Sequence, residues 1–243
     1  MSATLLLLTL IIVLAHFVET VTGFGATVIA LALGVYVMSL NDLLVTLVML
    51  GLLQSVYLVA IGYRHIEVRL LLRKILPLCG LGLAAGVYVS SRLETPLLQR
   101  LLGAFVMAVA FFELGRLLRR QASARSLNPI KASALLLAAG IFHGIFASGG
   151  PLIVYYTSRE IDDKRVFRAT LSLLWLVLNS VLLVTFIAAN RFNSSQAMLA
   201  GQLSIGLVAG ISLGEMWHHR IDMRTFRLVV QGVLIVTGIV LVM

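Results

Sequence analysis

Long apolar runs, separated by short polar stretches, are the feature that most limits what this chain can fold into. About 20 helical residues cross the hydrocarbon core of a bilayer, and runs of about that length recur along the 243 residues. With 60% hydrophobic residues and a mean hydropathy of +1.04, the chain has too little polar surface to cover a soluble globule of this size. The alternating strands of a transmembrane barrel are missing from the pattern. The sequence therefore predicts an all-α integral membrane protein.

Ten apolar segments can be drawn, five on each side of one polar stretch. That stretch predicts a cytoplasmic linker at 119–129 between a first transmembrane repeat at 1–118 and a second at 130–243. Each repeat is predicted to hold a broken-helix hairpin followed by three transmembrane helices. The segments are 3–22, 25–39, 43–62, 71–90 and 97–117, then 130–147, 150–158, 167–189, 196–215 and 226–243.

Two glycine-rich strings interrupt the apolar runs at matching places. Glycine is costly inside a helix unless the backbone must break there, and proline is favoured at the first helical position. Each string therefore predicts a helix end, a tight break and a new helix whose unpaired amides face the break. The strings are Gly23-Phe24-Gly25-Ala26 and Ser148-Gly149-Gly150-Pro151.

A sparse internal repeat relates the two halves. Moving the first half by 125 positions places Gly25 on Gly150 and Gln54 on Asn179. Moving it by 124 positions places the glycines of the fourth segment on those of the ninth, Gly82 and Gly86 on Gly206 and Gly210. Paired breaks of this kind are a known sequence sign of a transporter binding site.

The basic residues predict the orientation in the membrane. Of the 19 Lys and Arg residues, 16 fall in loops that the segment order places on one side, leaving Arg92, Arg100 and Arg191 for the other. By the positive-inside rule the basic side is cytoplasmic. The halves then become inverted repeats in the inner membrane, with both termini extracytoplasmic. Because these charges lie in short loops, the lipid bilayer is a predicted partner and nucleic acid is not.

No Lys or Arg lies at central depth, so a bound anion must be held by helix N-termini, amides and hydroxyls. The alternative is that the glycines only let helices pack closely. Gln54 and Asn179 can bind a polar substrate or join helices, and Tyr155 follows the second break. The predicted substrate-binding residues are Thr22, Gly23, Phe24, Gly25, Ser148, Gly149, Gly150, Pro151, Gln54, Asn179 and Tyr155.

Three titratable residues near the breaks are candidates for proton coupling. Glu19 is the carboxylate placed deepest in the membrane, where a charge costs roughly 2.5–3.5 kcal/mol and marks a functional candidate. The alternative is a neutral Glu19 that only forms a hydrogen bond with the hairpin. His16 lies nearly on the same helical face, and His143 occupies the equivalent arm, where a structural role is the alternative. His16 and Glu19 have no third ligand, so no metal site is predicted.

These motifs resemble the sulfite exporter TauE/SafE family of membrane transporters. The resemblance rests on the stretch from Glu19 to Gly25, on the stretch from His143 to Pro151 with Tyr155 and Tyr156 after it, and on Phe167-Arg168-Ala169. It implies secondary transport of small anions, often sulfur oxyanions or organosulfonates.

The sequence thus predicts a secondary transporter for a small anion, with proton coupling as a hypothesis, and no enzyme. No phosphate-binding loop is present, so no ATP hydrolysis and no cofactor is expected. Two alternatives stay open, an anion channel and an intramembrane enzyme that uses His143 with Ser148. The substrate, the direction of transport and the oligomeric state, including a homodimer, are left open.

Overall fold

The fold is described here from a computed structural model. It describes residues 3–22, 25–118, 127–217 and 231–242, apart from 233, 237, 240 and 241. All regular structure in these ranges is helical, which confirms the predicted all-α class. The helices are α1 (Ala3–Thr22), α2 (Ala26–Gly34), α3 (Leu40–Gly62), α4 (Val68–Leu70), α5 (Leu76–Ser90), α6 (Thr95–Leu118), α7 (Pro129–Phe146), α8 (Gly150–Thr157), α9 (Lys164–Ala188) and α10 (Ser194–Trp217). A π-helical turn, Leu71–Ile75, joins α4 to α5 without a break.

Helix length separates membrane-spanning helices from short arms. Within the described ranges, 7 stretches are long and apolar enough to cross a bilayer: α1, α3, the continuous helix Val68–Ser90, α6, α7, α9 and α10. The remaining two, α2 with 9 residues and α8 with 8, are far shorter than a span. At 1.5 Å per residue they extend only about 12–14 Å. The second predicted segment, 25–39, is longer than the helix observed there. Helix α2 ends at Gly34, and the chain continues as a turn.

The final predicted segment, 226–243, and the linker at 119–129 lie largely outside the described residues. The chain forms two compact units, and each draws on both sequence halves. One contains Met1–Leu43, Arg92–Ala124 and Ile205–Met243, and the other contains Leu44–Ser91 and Arg125–Ser204. The compact units do not correspond to the two predicted sequence repeats, 1–118 and 130–243. A repeat is a relation between sequences and need not form a compact unit, so the two repeats stay a prediction.

In the second unit, α5 packs backbone to backbone on α7. A Cβ atom added to Gly82 would lie 2.2 Å from the carbonyl oxygen of Leu137, and one added to Gly86 would lie 2.2 Å from that of Ile141. The glycines of α7 are equally close, because a Cβ on Gly140 would lie 2.2 Å from the Cys79 oxygen. Small residues on both helices allow this approach, as in other membrane helix pairs.

In the first unit, α10 packs on α1 through a similar row of glycines. A Cβ atom added to Gly210 would lie 2.6 Å from the carbonyl oxygen of Val13, and one added to Gly214 would lie 2.6 Å from the Cβ of Thr20. A Cβ atom added to Gly206 would lie 3.1 Å from the carbonyl oxygen of Thr9. Glycine spacing of four residues places all three on one helical face.

Two polar residues begin the helices that surround the second break. Asn128 accepts a hydrogen bond from the amide of Ile130 at 3.0 Å, with Pro129 in the first turn of α7. Asp163 accepts from the amides of Arg165 at 2.7 Å and Val166 at 3.1 Å at the start of α9. Both are ordinary N-caps that satisfy otherwise unpaired amides. They fix where α7 and α9 begin, and therefore where the short α8 lies in the chain.

Candidate functional site

The first predicted break is present. Helix α1 ends at Thr22 and α2 begins at Ala26, with Gly25 between them at φ 106°. That left-handed conformation favours glycine, so the sequence prediction of helix, break and new helix is confirmed. The side chain of Thr22 and the whole of Gly23 and Phe24 lie outside the described residues, and their predicted substrate roles stay predictions.

Glu19 lies at the N-terminus of α2. Its Oε2 atom accepts a hydrogen bond from the backbone amide of Ala26 at 3.0 Å. The first amides of a helix have no partner within the helix, and a carboxyl oxygen placed there also faces the positive end of the helix dipole. A hydrogen bond between Glu19 and the hairpin, which one of the two alternatives from the sequence requires, is present, with the Ala26 amide as donor.

The second predicted break is present as well. Helix α7 ends at Phe146, and Ala147 adopts a left-handed conformation at φ 50°. Helix α8 then begins at Gly150 with Pro151 in its first turn. Ser148, between the two helices, is 4% exposed, so the turn is buried within the protein.

Gly149 holds this turn against α7. A Cβ atom at this position would lie 2.2 Å from the carbonyl oxygen of Ala139 and 3.2 Å from the Cβ of His143. The first is a backbone atom, which cannot rotate away as a side chain can. The φ of Gly149, −84°, is one that any residue can adopt. Glycine is therefore required here because of the close approach to α7 and not because of its backbone conformation.

His143 fills the space beneath the second break. It is 2% exposed, and its Nδ1 atom accepts a long hydrogen bond, 3.5 Å, from the amide of Gly149. Its ring stacks on Trp175 of α9 with 5.5 Å between the ring centroids. Asn179, one turn further along α9, lies within reach of a side-chain hydrogen bond with the imidazole, and the buried Nε2 makes no hydrogen bond of good geometry with a described group.

The other predicted site residues are more scattered. Gln54 is buried on α3, and His16 is buried on α1. The hydroxyl of Tyr155 accepts a hydrogen bond from the Arg159 guanidinium at 2.7 Å, one turn further from the break. Among the described residues, no group of three His, Cys, Asp or Glu side chains could hold a metal ion.

The structure thus brings together Asn179, His143, Ser148, Gly149 and Gly150. Sequence analysis missed Trp175, which packs on His143. The signal was available, because residues four apart share a helical face and Trp175 precedes Asn179 by four positions.

A charged cavity of about 610 Å³ lies within the second unit. One wall, at the π-helical turn, carries Arg69, Arg73 and Lys74, and the other, between α8 and α9, carries Glu160, Asp162 and Asp163. The backbone amides of Val166 and Arg165 hold the pKa of Asp163 below its usual value. The cavity is formed by the loops that the sequence predicts to be cytoplasmic.

The model of the family described as sulfite exporter TauE/SafE matches residues 8–241. The match includes both breaks and all helices from α2 to α10. No curated protein and no solved structure shows a significant match to the chain.

Proposed function

Because the chain belongs to the sulfite exporter TauE/SafE family, we propose that it is a secondary transporter that moves a small anion across the inner membrane. The anion is a sulfur oxyanion, an organosulfonate or a similar organic anion. The observation that carries this proposal is the start of α8, where Pro151 is buried and Gly150 is half-buried, directly after the buried break residue Ser148.

A helix N-terminus binds anions without a basic side chain. Its first amides lack partners within the helix, and its dipole places partial positive charge at the same point. At the second break the available N–H groups are those of Gly149, which is buried, and Gly150, which is half-buried, because Pro151 has none. Neither glycine has a Cβ atom that would keep an anion at a distance. In a site shielded from water, electrostatic attraction is also stronger than at a surface. These features support an anion site at the hairpin tips.

We further infer that the two sequence halves are inverted repeats. The glycines that pack α5 on α7 are related by a shift of 124 positions to those that pack α10 on α1. In both cases the fourth segment of one half packs against the first segment of the other. The 16 basic residues assigned to cytoplasmic loops support extracytoplasmic termini. The paired packing of the two halves supports transport by rocking of one repeat against the other.

Transport by the purified protein in proteoliposomes tests this proposal. We expect saturable, gradient-driven uptake of at least one anion from a panel of sulfite, thiosulfate, methanesulfonate and acetate, and none in empty liposomes. A carrier saturates because it must change conformation in each cycle, whereas a channel gives voltage-driven current without a turnover limit. Failure of every anion to move, or current of the channel type, would contradict secondary anion transport.

The Glu19→Gln variant tests proton coupling. Glutamine keeps an oxygen that can accept from the Ala26 amide but cannot exchange a proton. We therefore expect a pH gradient to drive uptake at least tenfold less well, a conservative figure beside the roughly 10²–10⁴-fold that a positioned proton-transfer group contributes. Exchange of labelled substrate without a gradient should continue. Glu215→Gln, the same change at an exposed position of α10, is the control. Equal acceleration by a pH gradient in both variants would refute a proton-carrying role for Glu19.

A further inference from the structure

The charged cavity of the second unit lies between two walls of opposite charge. The basic wall is the stretch at the π-helical turn, and the acidic wall is the turn and extended segment between α8 and α9. The basic wall carries Arg69, Arg73 and Lys74, and the acidic wall carries Glu160, Asp162 and Asp163. All six residues are exposed, and no ion pair crosses the cavity in the part of the chain that the structure describes. The walls therefore face each other with their charges apart.

The π-helical turn explains why three basic side chains share one wall. In an α-helix, residues three or four apart are neighbours on the surface, which accounts for Arg69 beside Arg73. A π-helical turn has hydrogen bonds between residues five apart, so Lys74, five positions after Arg69, also lines the cavity. The first and last residues of the turn are 1% and 0% exposed, so the turn is anchored in the protein. Turns of this kind are rare and occur frequently at functional sites.

The acidic wall continues directly from α8, the second arm of the hairpin. Helix α8 ends at Thr157, whose carbonyl oxygen accepts from the amides of Glu160 at 3.1 Å and Ile161 at 2.9 Å. These bonds tie the wall to the helix, so a movement of α8 carries the acidic wall with it. Asp163 is held as the N-cap of α9. Glu160 and Asp162 are therefore the carboxylates that can turn toward the basic wall.

The two walls are joined where the start of α4 meets α9. The backbone amide of Glu67 donates to the hydroxyl of Thr170 at 2.9 Å, and a Cβ atom added to Gly62 would lie 3.2 Å from the Cβ of Ala169. Thr170 and Ala169 are both buried. This junction fixes one edge of the cavity, so the walls can approach each other by a hinge movement about it.

We propose that the two walls are the faces of a cytoplasmic gate, which closes during transport when Arg73 forms an ion pair with Glu160 or Asp162. Arg69 and Lys74 flank Arg73 and add to the attraction. The structure shows this gate open. An exposed ion pair shifts an equilibrium by only about 1.4- to fivefold, which suits a gate because its open and closed states must both stay accessible. The gate rests on the proposed transport function, since α8 joins the acidic wall to the second break.

Cysteine pairs across the cavity test whether the walls meet. The one cysteine of the chain, Cys79, is buried, so an introduced pair supplies the accessible thiols. In nanodiscs under mild oxidation, we expect Arg73→Cys to form a disulfide with Glu160→Cys or with Asp162→Cys, which requires Cα atoms within about 7 Å. Arg64→Cys with Glu160→Cys is the control pair, because Arg64 is close in sequence but does not line the cavity. No disulfide in either test pair, or equal formation in the control pair, would overturn the gate.

Uptake in proteoliposomes tests whether closure belongs to the transport cycle. Oxidation of the pair that forms a disulfide should stop anion uptake, and dithiothreitol should restore it, because a locked gate cannot reopen. Arg73→Glu alone should slow uptake about threefold or more, since repulsion replaces attraction. Adding Glu160→Arg or Asp162→Arg, at the position that forms the disulfide, should return uptake to within about twofold of the parent rate. Arg64→Glu, the same charge reversal outside the cavity, should leave uptake unchanged.

The outcomes separate failure of the gate from failure of the transport proposal. Uptake that continues after disulfide formation, or a charge swap that does not restore the rate, would overturn the gate and leave anion transport standing. The disulfide test needs no substrate, so it reports on the walls whatever the anion is. Absence of uptake by the parent protein, for every anion tested, would instead refute the transport function on which the gate rests.

Discussion

Replacing Gly82 with alanine should lower the melting temperature of the purified protein by roughly 2–12 °C. The new Cβ atom would lie 2.2 Å from the carbonyl oxygen of Leu137 and 2.9 Å from the Cα of Gly140, and both are backbone atoms. Relief requires α5 to move away from α7 along the whole contact. Overpacking costs typically 1–3 kcal/mol and occasionally more, and each kcal/mol lowers the melting temperature of a chain of this size by roughly 2–4 °C.

Gly80→Ala is the matched control, on the same helix and two residues away. A Cβ atom there would meet nothing within 4 Å, so we expect the melting temperature to stay unchanged or to rise by up to about 4 °C, since alanine is favoured over glycine in a helix by only about 0.5–1 kcal/mol. Both variants can be followed by thermal unfolding in detergent with tryptophan fluorescence. Equal melting temperatures for Gly80→Ala and Gly82→Ala would show that α5 and α7 are not in backbone contact.

Replacing Gly149 with alanine should reduce anion flux at least tenfold while leaving the protein in the membrane. Its added Cβ atom would lie 2.2 Å from the carbonyl oxygen of Ala139, so the turn must move away from α7. That movement takes the amide of Gly149 away from the imidazole of His143 and displaces the start of α8. A displacement of about 1 Å in a binding site can cost 100-fold in rate, so a tenfold loss is a conservative expectation.

Gly25→Ala is the comparison at the other hairpin. Space is open around Gly25, but its φ of 106° strains any side chain, so the cost should appear as a loss of stability of about 1–2 kcal/mol. Flux at saturating substrate, corrected for the amount of folded protein, separates the loss of stability expected in Gly25→Ala from the loss of transport expected in Gly149→Ala. Normal flux in Gly149→Ala would show that the position of the second turn does not matter for transport.

Much of the fold could be predicted from local signals. Apolar runs of bilayer length predicted the long helices, and Gly25, Gly150 and Pro151 predicted both breaks within one residue of their observed positions. These signals are local because helix termination depends on the φ preference of glycine and on the missing amide of proline. The end of α2 at Gly34 was not predicted, because the apolar residues that follow carry no signal to stop a helix.

The candidate site could be predicted only in part. The sequence singled out Glu19 and His143, but not that each faces the amides of the next helix in its hairpin. It placed Asn179 near a break and missed Trp175 altogether. Residues on separate helices meet according to how those helices pack, and hydrophobic periodicity gives no information on which helices are neighbours.

The sequence by itself determined that the chain is a helical membrane protein with two interrupted helices, because bilayer thickness and backbone preferences act over short stretches. Only the tertiary structure decided that α5 pairs with α7 and α10 with α1, since that choice depends on how the glycine rows of α5 and α10 fit against helices far away in the chain. It also decided that an acidic side chain caps α2 while an imidazole lies under α8. Those pairings follow from the turn of each hairpin, which brings a residue six or seven positions upstream against the first amides of the new helix.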